Sequence, residues 1–460
     1  MRAIINGWSR LGLLLLVVLA PAARAADSDA APWTLSRCIQ AALRSSPDLA
    51  AAAADIAAAQ GRLREAEAGR YGEAGYTQLL GLVNKANGNA VASNDSKNDF
   101  FNGLGPFTRM DLHLAVPLLT FGKLQAALEA AQHGLASEHA RSAERRDAII
   151  ASTKQLYYGL LLARQLADIL HDMQETLDKA VATTEKRLAD KTPGTTELDL
   201  LKLKVGRARF AKGMADVNAS ALLARSALAR TVGVADGESG GSEFDVADRK
   251  LQPVKAELKP LDDYLAHALD RRPEWTQLEA GVAAQRAKVA LEEADYYPKV
   301  FLSTGLQFAR AGNRTEQSNP FAYDDFNYLR PVGVLGMNWD LNFWTTGAKV
   351  DQERAALDRL RALRRDAETG LPLELRTAYI EVTKQHDTLT AAEDGRKAGR
   401  GLLILTVSNF DLAIGTAEEL FNGLGAYTES SSDYYRAVHD YNVAVASLSR
   451  IVGEVTDLQY

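Results

Sequence analysis

The side chains that most often carry chemistry are scattered along this sequence. The seven histidines form no cluster, and His133 and His139, six positions apart, would lie on different faces of a helix. The five methionines are not grouped either, so nothing supports a soft-metal path for Cu(I) or Ag(I). Zinc-protease, phosphate-binding and dinucleotide-binding motifs are absent. The esterase pattern G-x-S-x-G occurs once, at Gly237–Gly241, but it lies in an irregular Gly-rich stretch and lacks the strand-to-helix turn that a nucleophilic serine needs. The sequence therefore predicts no enzyme, no metal site and no bound cofactor.

The composition narrows the class of protein further. The chain has 460 residues, of which 47% are hydrophobic, so it can bury a large core. Its formal net charge is -6 at pH 7 and its Lys and Arg residues form no basic block, which argues against nucleic acid as a partner. The only cysteine, Cys38, cannot form an intramolecular disulfide, and we interpret it as a small buried side chain.

The N-terminus has the pattern of a secretory signal, which we place at residues 1–25. Arg2 and Arg10 supply positive charge, Leu11–Ala20 is apolar, and Ala23–Ala25 has the A-x-A form of a cleavage site. The apolar stretch is too short to cross a bilayer, which takes about 20 helical residues. Because no later stretch of that length is apolar, the sequence predicts an exported protein without a transmembrane helix.

Two short segments of similar composition each separate two long helix-like runs. The first is TPGTTELDLL, Thr192–Leu201, and the second is AIGTAEEL, Ala413–Leu420. Both place Gly-Thr, one small residue and a glutamate in the same order. Glycine permits a tight reversal of the chain, so we predict helical hairpins with tips near 192–196 and near 413–417.

The residues of these turns allow two interpretations. Thr195 or Thr416 can cap the helix that follows it. Glu197 and Glu418 then fall in the first helical turn, where the helix dipole favours a negative charge. Capping alone would account for these residues. Contact with another protein is the second interpretation, and the residues themselves leave both open.

Five pairs of matching anchors indicate that the chain is an internal duplication. They occur in the same order in both halves, and their separation falls only from 226 to 220 residues along the chain. The pairs are Pro47 with Pro273, Tyr71 with Tyr297, Gly122 with Gly347, Gly194 with Gly415, and Leu228–Gly233 with Leu448–Gly453. We therefore predict two tandem repeats, 34–233 and 260–453, with an irregular linker at 234–259 and a C-terminal tail at 454–460.

Each repeat contains two stretches in which apolar and polar residues alternate, as in a β-strand with one apolar face. We place the strands at 74–83, 109–118, 299–309 and 332–342. Each stretch is about ten residues long, the length of a membrane-spanning strand. A soluble hairpin with one wet face would give the same pattern. Four strands cannot close a barrel in lipid, where open edges are not tolerated, but three chains would supply twelve strands.

Most of the remaining sequence predicts unusually long helices. No proline lies between Pro117 and Pro193, and the run from Gly122 to Lys191 would form a helix about 100 Å long. Apolar and small residues recur along this run at spacings of three and four, which is typical of coiled-coil packing. In the second repeat Gly370–Pro372 lies inside the corresponding run, and there we expect a kink or a short break.

Together these features resemble the TolC-like outer-membrane efflux and secretion channels. The resemblance rests on AVPLLTFGKL (Ala115–Leu124), its relaxed copy NFWTTGAKV (Asn342–Val350), the paired turns and the closing LSRIVG (Leu448–Gly453). It covers nearly the whole chain after the signal. It implies a mainly α-helical protein with a small transmembrane β part. Three chains would form a twelve-stranded β-barrel, with four strands from each chain, and an α-helical barrel across the periplasm.

The resemblance also implies roles for the inner ends of the hairpins. Adaptor proteins of the family dock there, which makes Gly194, Thr195, Ile414, Gly415 and Thr416 candidate contacts. Some members close this end with aspartates six and nine positions after the second turn glycine. Those positions hold Phe421 and Leu424 here. The gate would then be either an apolar constriction or a charge ring that includes Asp411, Glu418 or Glu419.

The implied function is passive export through an outer-membrane duct. The duct would serve a tripartite efflux pump or a type I secretion system as a homotrimer in outer-membrane lipid of a Gram-negative cell. Its partners would be a periplasmic adaptor and an inner-membrane transporter of the RND, ABC or MFS class. The alternative is a periplasmic coiled-coil rod or adaptor without a pore. The sequence leaves open the exported substrate, the transporter class and the choice between efflux and secretion.

Overall fold

The computed structural model describes residues 33–88, 103–192, 194–234, 244–267, 269–317, 319, 321 and 323–453. The predicted signal at 1–25 and tail at 454–460 lie outside these residues. Eight helices and four strands follow one another along the described chain. They are α1 (Leu35–Ser45), α2 (Pro47–Ala68), β1 (Glu73–Val83), β2 (Gly105–Leu119), α3 (Lys123–Ala189), α4 (Glu197–Thr231), α5 (Leu261–Ala266), α6 (Pro273–Glu293), β3 (Lys299–Ala311), β4 (Tyr328–Asn338), α7 (Phe343–Asp411) and α8 (Ala417–Val452).

Both halves of the chain therefore have the same order of elements. Two helices lead through a short 3-10 turn, Gly69–Tyr71 or Ala294–Tyr296, into a pair of strands. A very long helix and a shorter one follow each pair. The fold is mainly helical, and no helix in the described ranges is both long enough and apolar enough to cross a membrane.

The strands form one antiparallel sheet in the order β1-β2-β3-β4. β1 and β3 begin within one residue of their predicted starts, whereas β2 begins four residues early, at Gly105. β4 spans 328–338 instead of the predicted 332–342. Its predicted end is wrong, because the residues after Asn338 make other hydrogen bonds in place of strand pairing. The Trp339 indole donates to the carbonyl of Tyr296, and the Asp340 carboxylate accepts from the backbone N–H of Asn342.

The sheet has one apolar and one polar face. On the apolar face, Leu112 pairs with Leu306 and Leu302 pairs with Leu335. On the polar face, one row across the four strands reads Thr77, Asp111, Gln307 and Arg330. In this row the Gln307 amide donates to the Asp111 carboxylate at 3.4 Å. This polar row runs across all four strands, so that its groups can bond one another, although Leu79, Phe301 and Val334 also lie on this face.

Helices α3 and α7 contain 67 and 69 residues, respectively, and each is therefore about 100 Å long. Of the kink or short break expected at Gly370–Pro372, the break is wrong, because α7 runs unbroken with Pro372 inside it. A proline removes one backbone hydrogen bond, but packing can hold the helix beyond it. Leu375 and Val382 follow the proline and are buried to 1% and 0% exposure in the core that α7 shares with α8.

The long helices pack side by side. α3 lies between α4 and α8, and α8 in turn packs against α7. One core cluster fills the part nearest the hairpin turns and includes Leu177, Leu203 and Leu424. A second, larger cluster fills the middle of the molecule. In this layer α4 and α7 are the two outermost helices of the chain.

The described part of the segment between the repeats, 244–259, has no helix or strand but is firmly packed. Phe244 and Leu251 are buried in the larger core cluster. The amide of Asn442, on α8, accepts from the backbone N–H of Val254 and donates to the carbonyl of Gln252, at 2.9 and 2.8 Å. We name residues 244–259 the strap, because side chains of the helices satisfy its backbone along its length.

Candidate functional site at the helix tips

The two hairpin turns meet at one end of the long helices and differ in length. The first comprises 190–196 and the second 412–416, so the first is two residues longer. Both leave the preceding helix through a residue with positive φ, Lys191 at 52° and Ala413 at 60°. Gly194 also has a positive φ, 86°, but Gly415 does not. The two glycines that match in the sequence thus have different conformations.

Both turns end in the same capping box. The Thr196 hydroxyl accepts from the backbone N–H of Asp199, whose carboxylate accepts from the Thr196 N–H. Thr416 and Glu419 repeat this arrangement at 3.1 and 3.0 Å. The prediction for Thr195 is wrong, because Thr196 caps α4. Matching Gly194 with Gly415 assigns the cap to the residue directly after each glycine. The first turn has one additional residue before its glycine and one after it, so its cap is one position further on.

The two turn glycines differ in their surroundings. A Cβ on Gly415 would lie 2.9 Å from the Cβ of Asn409 and 3.2 Å from the backbone N of Phe410. The backbone N–H groups of Ile414 and Gly415 both donate to the Asn409 carbonyl. A Cβ on Gly194 would meet nothing within 4 Å. Gly415 therefore permits a close approach of backbone segments, whereas Gly194 permits a left-handed conformation in open space.

Apolar side chains project from the second turn. Ile414 is 74% exposed and Leu412 is 70% exposed. The described side chains of the first turn are those of polar residues, among them Lys191, Thr192 and Thr195. Sequence reasoning had singled out Ile414 but missed Leu412. The signal that could have found Leu412 is its position as the first residue of the turn, directly after α7, where no core is available to bury it.

Two contacts join the hairpins at their tips. Arg187, on α3, donates to the carbonyls of Phe410 and Asp411 at 2.8 and 3.0 Å, so it caps the end of α7. Lys202, on α4, pairs with Glu418, on α8, at 2.6 Å. This hydrogen bond, which Lys202 donates, lowers the pKa of Glu418 and raises the pKa of Lys202.

The five gate candidates fall into two groups. Leu424 is 0% exposed in the core near the tips, and a Cβ on Gly206 would lie only 2.6 Å from the ring of Phe421. The three acidic candidates, Asp411, Glu418 and Glu419, are exposed. Glu419 closes the capping box and Glu418 pairs with Lys202. In this structure the apolar candidates therefore hold the hairpins together, and the acidic candidates lie on the surface.

This arrangement of long helical hairpins below a small sheet is known from solved outer-membrane channels. The channel OprN matches with a TM-score of 0.75 and 19% identity over 91% of this chain and 90% of its own. VceC of Vibrio cholerae matches with a TM-score of 0.73 and 18% identity over 91% of this chain and 96% of its own. MtrE of Neisseria gonorrhoeae, in its open state, matches with a TM-score of 0.71 and 14% identity over 93% of this chain and 91% of its own. At these identities the likeness establishes a shared fold.

The sequence itself identifies the family. The outer membrane efflux protein family matches residues 38–190 and 264–453, about one segment in each half of the chain. No curated protein matches the sequence. Because the matched segments together cover well over half of the chain, this protein belongs to the outer membrane efflux protein family, and its place is the outer membrane.

Proposed function

We propose that three copies of this chain form an outer-membrane channel through which substrates leave the cell passively. The channel belongs to a tripartite efflux pump, in which an adaptor joins it to an energised inner-membrane transporter. Family membership supports export across the outer membrane. A single observation supports the trimer: within the described part of one chain, both the sheet and the row of long helices end in two edges without a partner.

The sheet provides the first pair of edges. β1 pairs with β2 alone, and β4 pairs with β3 alone, among the strands that the structure describes. In lipid an unpaired strand edge is costly, because no water can satisfy its backbone groups. Pairing of β4 with β1 of the next copy would remove every edge. Three copies would close a barrel of twelve strands, an even number as in other outer-membrane barrels.

The exposed face of the sheet suits a membrane. Leu80 is 77% exposed and Leu335 is 71% exposed, both on the apolar face. At the junction with the helices, aromatic side chains are exposed as well, among them Trp344 at 76% and Tyr71 at 64%. Barrel strands have such apolar bands, with aromatic girdles where the membrane meets water. The periplasmic rod without a pore would leave this whole face in water.

The helices provide the second pair of edges. An exposed seam runs along α4 with alternating spacings of three and four: Leu198, Leu201, Val205, Ala208, Lys212, Ala215, Ala219 and Leu222. Exposed residues of α7 follow the same spacing, and Leu363, Leu373, Ile380 and Leu405 belong to that seam. Seams of this spacing pack against a neighbouring helix. Contact between α4 of one copy and α7 of the next would bury the α4 seam and the part of the α7 seam that lies opposite it, and would close a tube.

The tips supply the adaptor contact and the gate in this proposal. Ile414 and Leu412 form the apolar contact, while Gly194, Thr195, Gly415 and Thr416 shape the surface around it. The gate is the set of links between the two hairpins, in which Arg187 and Lys202 participate, together with exposed Asp411. Their contacts support this role, because the hairpins cannot separate at the tip while those links persist. Substrate and transporter class stay open.

The experiment that tests the proposal is membrane fractionation followed by gel analysis of unboiled samples. We expect trimers in the outer-membrane fraction that dissociate on heating. A monomeric or dimeric protein in the soluble periplasmic fraction would support the rod instead. Type I secretion is the other use of such a duct, and deletion of the gene separates the two: loss of dye efflux supports efflux, whereas loss of one secreted protein supports secretion.

A further inference from the structure

The connection between β3 and β4 crosses the outer ends of the other strands. The Gly312 N–H donates to the carbonyl of Pro106, at the start of β2. The side-chain amide of Asn313 then donates to the carbonyls of Val83 and Gly103, each at 2.7 Å. This segment thus leaves β3, passes over β2 and reaches the end of β1.

Beyond that crossing, the connection is fastened to the residues that follow β1. Ala86 donates to the Asn313 carbonyl at 3.2 Å and accepts from the Thr315 N–H at 3.0 Å. The guanidinium of Arg314 donates to the Asn84 carbonyl at 3.0 Å. A Cβ on Gly105 would lie only 2.4 Å from Cγ of Asn313. The crossing is therefore a fitted contact between the two halves of the chain.

The returning part of the connection lies over the polar face of the sheet. The ring of Phe326 packs edge-on against Phe107 at 5.6 Å, on the same face as Ala309 and Ala311. Those two alanines are 1% and 2% exposed, whereas Leu329, on the apolar face at the same end of the sheet, is 64% exposed. The connection covers one face only.

Several polar contacts fix the returning part. The Asp324 carboxylate accepts from the backbone N–H groups of Gln317, Phe326 and Asn327 at 2.9 to 3.0 Å. Burial alone would raise the pKa of Asp324, but these three hydrogen bonds hold it below its usual value. The Arg330 guanidinium donates to the Asp324 carbonyl and lies 4.1 Å from the Tyr323 ring.

We propose that residues 312–317 and 323–327, named here the rim loop, form the size-limiting constriction at the outer mouth of the channel. This inference rests on the proposed function, because only in a closed barrel does the polar face line a water-filled passage. Each copy would place one rim loop inside the mouth, so three loops narrow the outlet. Bulky solutes pass only when the contacts of Phe326 and Asp324 give way.

The test measures access from outside with thiol reagents of two sizes. His113 is exposed on the polar face, two residues inward from Asp111 along β2, so His113→Cys places a thiol in the passage. The native thiol, Cys38, is fully buried. In intact cells we expect a small maleimide to label His113→Cys and a bulky polyethylene-glycol maleimide to fail. Adding Phe326→Ala or Asp324→Ala should let the bulky reagent react.

Phe321→Cys is the matched control, because Phe321 is 96% exposed and both reagents should label it in every background. Labelling of His113→Cys by the bulky reagent with the rim loop intact would overturn the inference. So would a block that survives both loop variants. If even the small reagent fails in cells but reacts in detergent, the passage itself is absent, and the proposed channel fails. Trimer yield on a gel verifies that each variant assembles.

Discussion

The two ends of this long molecule expose apolar side chains in different ways. At the strand end, one face of a four-stranded sheet is mainly apolar, and Leu80, Leu306 and Leu335 lie on it. At the tip end, the exposed apolar groups of the turns themselves are Leu412 and Ile414, both on the second turn. A broad continuous face is suited to lipid, whereas a small apolar patch with a polar rim is typical of a protein contact. The difference separates the surface that inserts from the surface that recognises a partner.

The largest expected effect comes from charge on the strand face. Arginine at Leu335 or Leu306 should cost about 2–4 kcal/mol near the membrane midplane and reduce trimers in the membrane. Asn338→Arg and Gln307→Arg are the matched controls, because both positions lie on the polar face, where Asn338 pairs with Lys299. Heat-modifiable trimers are counted for each variant. Equal tolerance at all four sites would remove the lipid-facing role of this sheet.

The next effect concerns transport with assembly preserved. Ile414→Asp should abolish dye efflux at normal trimer levels, because it charges the exposed apolar group at the second tip. Thr195→Asp, on the first turn, is the control and should reduce efflux less. Gly415 is a poor site for this test, since any side chain there would collide with Asn409. Normal efflux by Ile414→Asp trimers would show that the second tip does not recognise the partner.

A smaller effect should follow from loss of the caps. Thr196→Ala and Thr416→Ala should each destabilise their hairpin by about 0.5–2 kcal/mol, because each removes a capping hydroxyl. Thr195→Ala should change nothing, since its hydroxyl caps no helix. Thermal unfolding of the purified protein measures all three. A loss for Thr195→Ala equal to that for Thr196→Ala would contradict the assignment of the first cap.

The smallest effect is a pH dependence at the tip. Glu418 has a pKa below its ordinary 4.5 because Lys202 donates a hydrogen bond to it. A carboxylate whose pKa is lowered by a contact stabilises that contact fully when the pH is above the ordinary pKa. This stabilisation is lost as the pH falls from the ordinary pKa through the lowered pKa. Channel conductance should therefore rise below pH 4.5 as the link breaks. Glu418→Gln should lose this rise in conductance. If the variant keeps the same pH profile, a group other than Glu418 causes the rise.

Much of the fold could be predicted because its signals are local and repeated. The run without proline between Pro117 and Pro193 predicted α3 to within two residues, and alternation located the strands. The predictions failed where tertiary contacts determine the structure. Pro372 does not break α7, because Leu375 and Val382 anchor the helix beyond it. The described part of the inter-repeat segment has no helix or strand. Its packing could not be predicted, because its hydrogen bonds to Asn442 join residues 188 and 190 positions apart.

The site was predicted in part. The repeated Gly-Thr segments located both turns, and Ile414, which the family resemblance makes a candidate contact, is exposed. The cap on the first turn was misplaced by one residue because sequence matching cannot measure a turn that is two residues longer. Leu424 was considered for a pore, but it lies in the core of its own chain. Its burial depends on how the helices α3, α4 and α8 meet, which no spacing along one helix reveals.

The central claim is that three copies of this chain enclose one continuous passage. The measurement that tests it most directly is the mass of the purified complex reconstituted in lipid, with conductance recorded from the same preparation. We predict the mass of three chains and discrete single-channel currents. A complex of any other copy number, or three chains that carry no current even in the Glu418→Gln variant at acidic pH, would contradict the account.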